Sequence, residues 1–150
     1  MDAYGEVDAY LRHRVPELLG GPLGHIEKMG SGVWCLCVDG KKYVAKYHIF
    51  APLTRGRAYD VLEVERDVLR ALVEAGCRVP AMVALDQTAC IAFYEWVGGT
   101  TLDDLVQEQS GNHAELARAA LRNALAIDGA LKRDKGWSQR VAPGGSRPDL

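Results

Sequence analysis

An Asp-Gly pair at positions 39 and 40, flanked by apolar residues, constrains the fold of this sequence more than any other feature. Asp-Gly readily adopts the left-handed backbone positions of a tight turn, so the segments on either side are expected to pair as an antiparallel hairpin. The turn is predicted to join a strand over residues 33–38 to a strand over residues 41–47. In the second strand Lys42, Val44 and Lys46 share one face, because alternate residues of a strand point the same way.

The remaining elements follow from hydrophobic periodicity and from Gly and Pro residues that interrupt it. The predicted helices cover residues 7–19, 59–75, 102–109 and 114–131, with Thr100 or Thr101 as a cap for the third. Further strands are predicted over residues 24–29, 79–85 and 88–96. The order predicts an α+β fold, in which a small antiparallel five-stranded sheet carries one packed helix and is followed by further helices.

Four segments are expected along the chain. An N-terminal helix occupies residues 1–22, the sheet with its packed helix occupies residues 23–97, and a connector with two helices occupies residues 98–132. Residues 133–150 are rich in charged, Gly and Pro residues and show no periodicity.

Composition excludes several classes of protein. Among 150 residues, 48% are hydrophobic and 25% are charged, with a net charge of -2, so neither disorder nor a nucleic-acid partner is expected. No apolar run approaches the roughly 20 residues of a membrane span, and the N-terminus has no secretory signal. We expect a cytoplasmic protein with no membrane partner. The four cysteines lack the spacing of a metal site and are interpreted as reduced thiols.

A Gly-x-Gly turn, Gly30-Ser31-Gly32, is predicted between the first two strands. Glycines in such a turn let backbone amides approach anionic oxygens such as those of phosphate. An ordinary hairpin turn is the alternative interpretation. Lys46 is expected to point inward beside Val44, although exposed lysines are common on strands and the residue alone would be interpreted as one of them.

Glu65 is the candidate partner of Lys46. It lies within a helical stripe formed with Val61, Val68 and Leu72, and a carboxylate among apolar residues is costly unless a cation meets it. Lys46 is the expected cation, because the strand and the helix are consecutive elements that pack together. Glu63 is the competing carboxylate, but it lies about 160° further round the helix.

A strand leads into a glycine-containing connector over residues 93–102. Such a connector leaves backbone N–H and C=O groups free to form hydrogen bonds with the edge of a planar ligand. A plain strand-to-helix loop is the alternative interpretation. Taken together, the glycine turn, the inward lysine, the partner glutamate and the open connector fit phosphate clamping with purine docking.

Several motifs in this order resemble the N-terminal lobe of the protein kinase-like superfamily. The segment from Tyr43 to Lys46 is similar to its third-strand lysine motif. Residues 65–72, followed by Gly76 and Val79-Pro80, are similar to the helix-to-strand passage of aminoglycoside phosphotransferase-like kinases, and residues 94–99 resemble their hinge. The likeness covers residues 5–131, with one departure, because Cys35 stands where protein kinases carry a third loop glycine.

The resemblance implies roles for individual residues. Lys46 would contact the α- and β-phosphates of ATP and pair with Glu65, while Gly30, Ser31 and Gly32 would cover the phosphates. The adenine would be held by a further set: Val44 and Cys37 as its roof, the Glu95 carbonyl and the Val97 amide at its edge, and Tyr94 at the back of the pocket.

The C-terminal residues bear on catalysis. Arg147-Pro148-Asp149-Leu150 resembles a degenerate catalytic loop in which Asp149 would orient the acceptor hydroxyl, and a chance match is the alternative. A kinase also needs side chains that bind Mg²⁺, and the resemblance identifies none in this sequence. We therefore expect the 150 residues alone to be incomplete and inactive in efficient phosphoryl transfer. The apolar side of the helix at 114–131 predicts self-association or a partner.

Three functions remain compatible with the sequence. The first is the ATP-binding portion of a phosphotransferase acting on a hydroxyl of a small molecule, such as an aminoglycoside, or of a protein Ser or Thr. The second is a non-catalytic kinase-like module that binds a nucleotide or a protein. The third is a small α+β binding domain unrelated to ATP.

Overall fold

The Asp-Gly turn joins two paired strands in the computed structural model, which describes residues 3–57, 59–107 and 113–133. Asp39 and Gly40 both have positive φ, at 48° and 76°, as a tight turn between twisted strands requires. The elements in chain order are α1 (Ala3–Leu19), β1 (Leu23–Gly30), β2 (Val33–Val38), β3 (Lys41–Tyr47), α2 (Ala51–Thr54), α3 (Val61–Glu74), β4 (Met82–Asp86), β5 (Ile91–Glu95), α4 (Leu102–Gln107) and α5 (His113–Arg133).

The five strands form one antiparallel sheet in the order β1-β2-β3-β5-β4. β5 therefore pairs with β3, and β4 lies at the sheet edge. The meander of β1, β2 and β3 is connected to the hairpin of β4 and β5 by a crossover that contains α2 and α3. This order places the middle strand β3 between β2 and β5, so side chains of β3 have neighbours on both sides.

One face of the sheet packs against α1 and forms the main core. Leu11 and Val15 of α1 are fully buried and contact alternate apolar side chains of the strands. The strand residues of this core are Trp34, Leu36, Val38, Ala45, Ile91 and Phe93. Where α1 crosses β4, the Tyr10 hydroxyl donates a hydrogen bond to Asp86. We call this side of the sheet the α1 face.

Helix α3 packs near the opposite face of the sheet. Its N-cap Asp60 is buried and accepts hydrogen bonds from the amides of Leu62 and Glu63 at 3.1 and 3.4 Å. A side-chain oxygen at this position satisfies amides that the first helical turn leaves without partners. Leu62 then packs with Ala51 in a second, smaller apolar cluster.

Helix α5 is attached to the rest of the protein near the end of α3. The Asn123 side chain accepts from the Arg78 amide at 3.2 Å and donates to the Arg78 carbonyl at 3.0 Å. Ala130 is the one buried residue of the helix. Leu121 and Leu125 remain 60% and 61% exposed, on a different side of the helix.

The structure confirms the α+β class and the five-stranded antiparallel sheet. Helices occupy both faces of the sheet, whereas the sequence predicts one packed helix. Two strands begin three residues later than predicted. β4 begins at Met82 rather than at residue 79, because Pro80 has no amide hydrogen to donate to a neighbouring strand, and β5 begins at Ile91 rather than at residue 88, because Cys90 has a positive φ of 58° and belongs to a turn. The short helix α2 lies in a segment for which no element is predicted.

Candidate functional site

The face of the sheet opposite α1 carries the lysines of β3, and we call it the lysine face. Pairing across the strands places side chains in rows on this face. Val44 lies between Cys35 of β2 and Tyr94 of β5, and Lys46 lies between Val33 and Ala92. The alternation predicted for β3 is therefore confirmed, and Ala45, between these two residues, is buried on the α1 face.

Lys46 and Glu65 lie on the same side of the sheet and meet. The Lys46 Nζ atom is 3.9 Å from Glu65 Oε1, with the lysine side chain 48% exposed and the carboxylate 27% exposed. An ion pair of this length and exposure contributes little to stability. Because an ammonium has three N–H donors, Lys46 can also bind an additional anion. Glu63, the competing carboxylate, instead accepts a hydrogen bond from Gln87 at 2.9 Å.

Two further side chains contact Glu65. The Tyr94 hydroxyl donates to Glu65 Oε1 at 2.7 Å, and His48 Nε2 lies 3.4 Å from Glu65 Oε2. His48 Nε2 is also 3.2 Å from the Tyr94 hydroxyl. Lys46, His48, Glu65 and Tyr94 thus form one connected cluster, which we call the Glu65 cluster.

Burial sets the protonation states in the Glu65 cluster. It raises the pKa of Tyr94, and the hydrogen bond to Glu65 and the charge of that carboxylate raise the pKa further, so the phenol keeps its proton and remains a donor. Burial also lowers the pKa of His48 below its usual 6.5. The negative charge of Glu65 opposes that shift and the positive charge of Lys46 adds to it.

The glycine turn lies directly beside Lys46. Ser31 and Gly32 connect β1 to β2, and Gly32 has a positive φ of 72°, which favours glycine. The Gly32 carbonyl accepts a hydrogen bond of 2.8 Å from the Tyr47 amide, so the turn is fastened to the strand that carries Lys46. Gly30 has no atom within 4 Å of the position where a Cβ would lie, which leaves open space above it.

The two residues that the resemblance assigns to the roof of an adenine, Cys37 and Val44, lie on the same face of the sheet. Cys37 lies opposite Lys42 and diagonally next to Val44, and both Cys37 and Val44 are half-buried. The Lys42 ammonium lies 5.4 Å from the centre of the Trp96 ring, within range of a cation–π contact. This contact adds an aromatic wall that the sequence interpretation did not include.

The connector after β5 leaves the sheet next to this wall. The Glu95 amide donates to the Ala81 carbonyl at 3.0 Å, and Val97 is 71% exposed. A Cβ on Gly99 would lie 3.2 Å from the Trp96 ring, so glycine at this position permits the chain to pass close to the indole. Thr101 then caps α4, as its hydroxyl accepts from the Asp104 amide at 3.1 Å.

The structure brings most of the predicted site residues to one surface. The Gly32 carbonyl bonds to the residue after Lys46, and Gly30 pairs with Val33, the β2 neighbour of Lys46, while the roof and connector positions lie along the same sheet. His48 was missed, because it follows the end of β3; continuing the alternation of Lys42, Val44 and Lys46 by two residues would have found it. Asp149 lies outside the described residues.

Comparison of the chain with protein-family models, curated proteins and solved structures finds no match. Within residues 3–57, 59–107 and 113–133, no group of three or more His, Cys, Asp or Glu side chains is arranged to hold a metal ion. In the same part of the chain, no helix has both the length and the apolarity needed to cross a membrane.

Proposed function

We propose that this chain is the ATP-binding portion of a kinase-like phosphotransferase, which transfers the γ-phosphate of ATP to a hydroxyl group. The observation that carries the proposal is the contact between Lys46 and Glu65 beside the glycine turn. A lysine that is held by a carboxylate, yet still half exposed, is suited to binding phosphate oxygens. The resemblance of the sequence motifs to kinase-like proteins supports the same assignment.

The residues of the lysine face fit a nucleotide. Lys46 would contact the α- and β-phosphates, and the amides of the Gly30–Gly32 turn would cover them. Val44 and Cys37 offer a small apolar surface for adenine, beside the Trp96 ring. The exposed connector at Val97 would pair with the base edge through the Glu95 carbonyl and the Val97 amide.

The chemistry of the reaction belongs to the nucleotide, since ATP supplies the phosphoryl group and Mg²⁺ neutralises charge on it. The contribution of this chain is to bind and orient. Glu65 would orient the Lys46 ammonium, and the Tyr94 hydroxyl, which donates to Glu65, would hold that carboxylate in place at the back of the pocket. The acceptor hydroxyl would belong either to a small molecule such as an aminoglycoside or to a protein Ser or Thr.

Nucleotide binding is the direct test. Mg-ATP at about 100 times its dissociation constant is expected to stabilise the protein by about 2.7 kcal/mol. Lys46→Met should weaken Mg-ATP binding by about tenfold to a hundredfold, because a hydrogen bond to a charged group contributes about 1.5–3 kcal/mol. Isothermal titration calorimetry measures the loss, and adenosine, which has no phosphate, should bind both proteins equally.

Lys41→Met is the matched control. Lys41 lies on the same strand, but on the α1 side of the alternation, and is exposed. The control should bind Mg-ATP like the unmodified chain. Equal losses in both variants, or no Mg-ATP binding by the unmodified chain, would contradict the proposal.

A non-catalytic kinase-like module that binds a nucleotide or a protein is the second candidate. The exposed Leu121 and Leu125 on α5 favour it, because they offer an apolar surface for a protein partner. The two candidates share Lys46 and Glu65 and are separated by activity. Phosphoryl transfer at the usual rates of about 1–100 s⁻¹ would identify an enzyme, whereas Mg-ATP binding without turnover fits both candidates, because the 150 residues alone are expected to be inactive.

A further inference from the structure

His48 is the one member of the Glu65 cluster to which the proposed function gives no role. Its side chain is 9% exposed, and its Nε2 atom faces both Glu65 Oε2 at 3.4 Å and the Tyr94 hydroxyl at 3.2 Å. The His48 amide donates to the Cys90 carbonyl at 2.9 Å, and the His48 carbonyl accepts from the Ala51 amide at 3.0 Å. Both backbone groups are therefore fixed, so the imidazole is held against the carboxylate.

Glu65 carries one negative charge and has two basic neighbours. Lys46 approaches it to 3.9 Å from the more exposed side, and His48 approaches it to 3.4 Å from the buried side. Because Tyr94 keeps its proton, it donates a hydrogen bond to Glu65 without neutralising the charge. In the resting cluster Lys46 is the full counter-charge, since burial favours the neutral imidazole.

A phosphate that binds Lys46 shares the ammonium with Glu65, so one positive charge then serves two anions. A partly buried carboxylate that shares its cation is less well neutralised unless a second cation meets it. His48 is already in contact with Glu65 and becomes a cation by taking one proton from solvent. Resting on the proposed function, we propose that His48 completes the neutralisation of Glu65 when Lys46 also binds the phosphates of a nucleotide, so that binding is coupled to proton uptake.

The direction of the coupling follows from the charges around His48. The groups that face the imidazole are Lys46 from β3, Glu65 from α3 and Tyr94 from β5, while the backbone groups of Cys90 and Ala51 bond to the backbone of His48. A bound polyphosphate offsets the charge of Lys46 and adds negative charge, and both effects raise the pKa of His48. Protons and nucleotide therefore favour each other's binding, and affinity increases as pH falls through the range between the resting and the bound pKa of His48.

Calorimetry in buffers of different ionisation enthalpy measures this proton directly. At about pH 6.5, the ordinary pKa of histidine, the unmodified chain is expected to take up a fraction of a proton more per Mg-ATP than His48→Gln does. Glutamine keeps a side-chain donor but does not titrate, and any proton taken up by the nucleotide itself is the same for both proteins. Adenosine should show no difference between them.

Glu65→Gln provides a second variant, because it removes the charge that His48 is proposed to neutralise, and it too should lose the extra proton. Thermal unfolding checks that both variants fold. The pKa of His48, followed by NMR without nucleotide, should rise in Lys46→Met and fall in Glu65→Gln.

Equal proton uptake by the unmodified chain and His48→Gln would overturn the role of His48 and leave the proposed function standing. A His48 pKa that neither variant changes would do the same. Absence of Mg-ATP binding by the unmodified chain would overturn the proposed function, and the role of His48 with it.

Discussion

Glu65 is the residue on which the candidate site depends most, because three different side chains converge on its carboxylate. Lys46 contributes charge, Tyr94 contributes a hydrogen bond of 2.7 Å, and His48 lies against the second oxygen. Loss of the carboxylate would leave Lys46 without a defined orientation and would leave the Tyr94 hydroxyl without its acceptor. A single position therefore sets the geometry of the whole cluster.

Cys37 offers a chemical probe of the proposed adenine surface. It is half-buried on the lysine face beside Val44, so a bound nucleotide is expected to cover its thiol. At ten times the dissociation constant of Mg-ATP, alkylation of Cys37 by N-ethylmaleimide should slow about tenfold, since about one protein in eleven stays unoccupied. Peptide mapping by mass spectrometry measures the rate at each cysteine.

Cys77 is the internal control for this experiment. It is also half-buried, but it follows α3 rather than lying on the lysine face, and its labelling should not depend on nucleotide. Cys35 is buried, and burial raises the pKa of its thiol, so it should react slowly throughout. Protection of Cys77 to the same extent as Cys37 would contradict the placement of adenine on this surface.

The contact between Lys46 and Glu65 could be predicted from the sequence, whereas the full cluster could not. Strand alternation and a carboxylate within an apolar helical stripe sufficed to pair these two residues. The hydrogen bond from Tyr94 depends on β5 lying next to β3, which is a long-range pairing that periodicity does not specify. The contacts of His48 were not predicted for a related reason, because they depend on how the backbone continues after β3.

At the scale of elements, the N-cap of α3 controls whether the helix that carries Glu65 begins in the right place. Asp60 accepts from the first-turn amides and also from the Gly56 amide at 3.2 Å. Asp60→Ala should lower the free energy of unfolding by about 1–2 kcal/mol, because a buried cap is lost. Urea denaturation followed by circular dichroism measures the change.

Asp60→Asn is the matched variant, because asparagine is also a good N-cap and keeps a side-chain oxygen. It should retain most of the stability that alanine loses. If both substitutions cost the same free energy, the charge of Asp60 rather than its capping hydrogen bonds would be the source of the stabilisation.

Elements with strong local signals were predicted well. The hairpin of β2 and β3 matches its predicted bounds because Asp39 and Gly40 determine the turn locally. α3 starts two residues later than predicted, because the side chain of Asp60 caps the helix and Tyr59 therefore lies outside it. The short helix α2 was not predicted, because one turn of helix that includes a proline has too little periodicity to be recognised.

At the scale of the whole molecule, α5 presents an apolar surface away from the sheet. Leu121 lies about 180° round the helix from the buried Ala130, at 100° per residue. Leu125 lies one turn further along the same side, and both leucines are more than half exposed. Exposed leucines spaced by one helical turn are typical of a helix that packs against another helix.

The chain is therefore expected to self-associate through this surface as its concentration rises. Substituting both Leu121 and Leu125 by serine should remove the association, because little apolar area would then be buried on contact. Size-exclusion chromatography with light scattering at several concentrations gives the mass directly. Arg133→Ser, an exposed change on the same helix but outside the leucine side, should associate like the unmodified chain. A monomer at every concentration would show that the surface does not drive self-association.

The position of β1 at the border of the sheet has a consequence for solubility during folding. β1 is eight residues long and pairs with β2 alone within the part of the chain that the structure describes. A long border strand invites a strand from another molecule to add to it, which is the first step of amyloid-like growth. His25, Glu27 and Lys28 place ionisable groups along β1, and its pairing with β2 is irregular near both ends. An incoming strand would have to desolvate these groups and pair with an irregular edge. Both features of β1 therefore disfavour fibril formation.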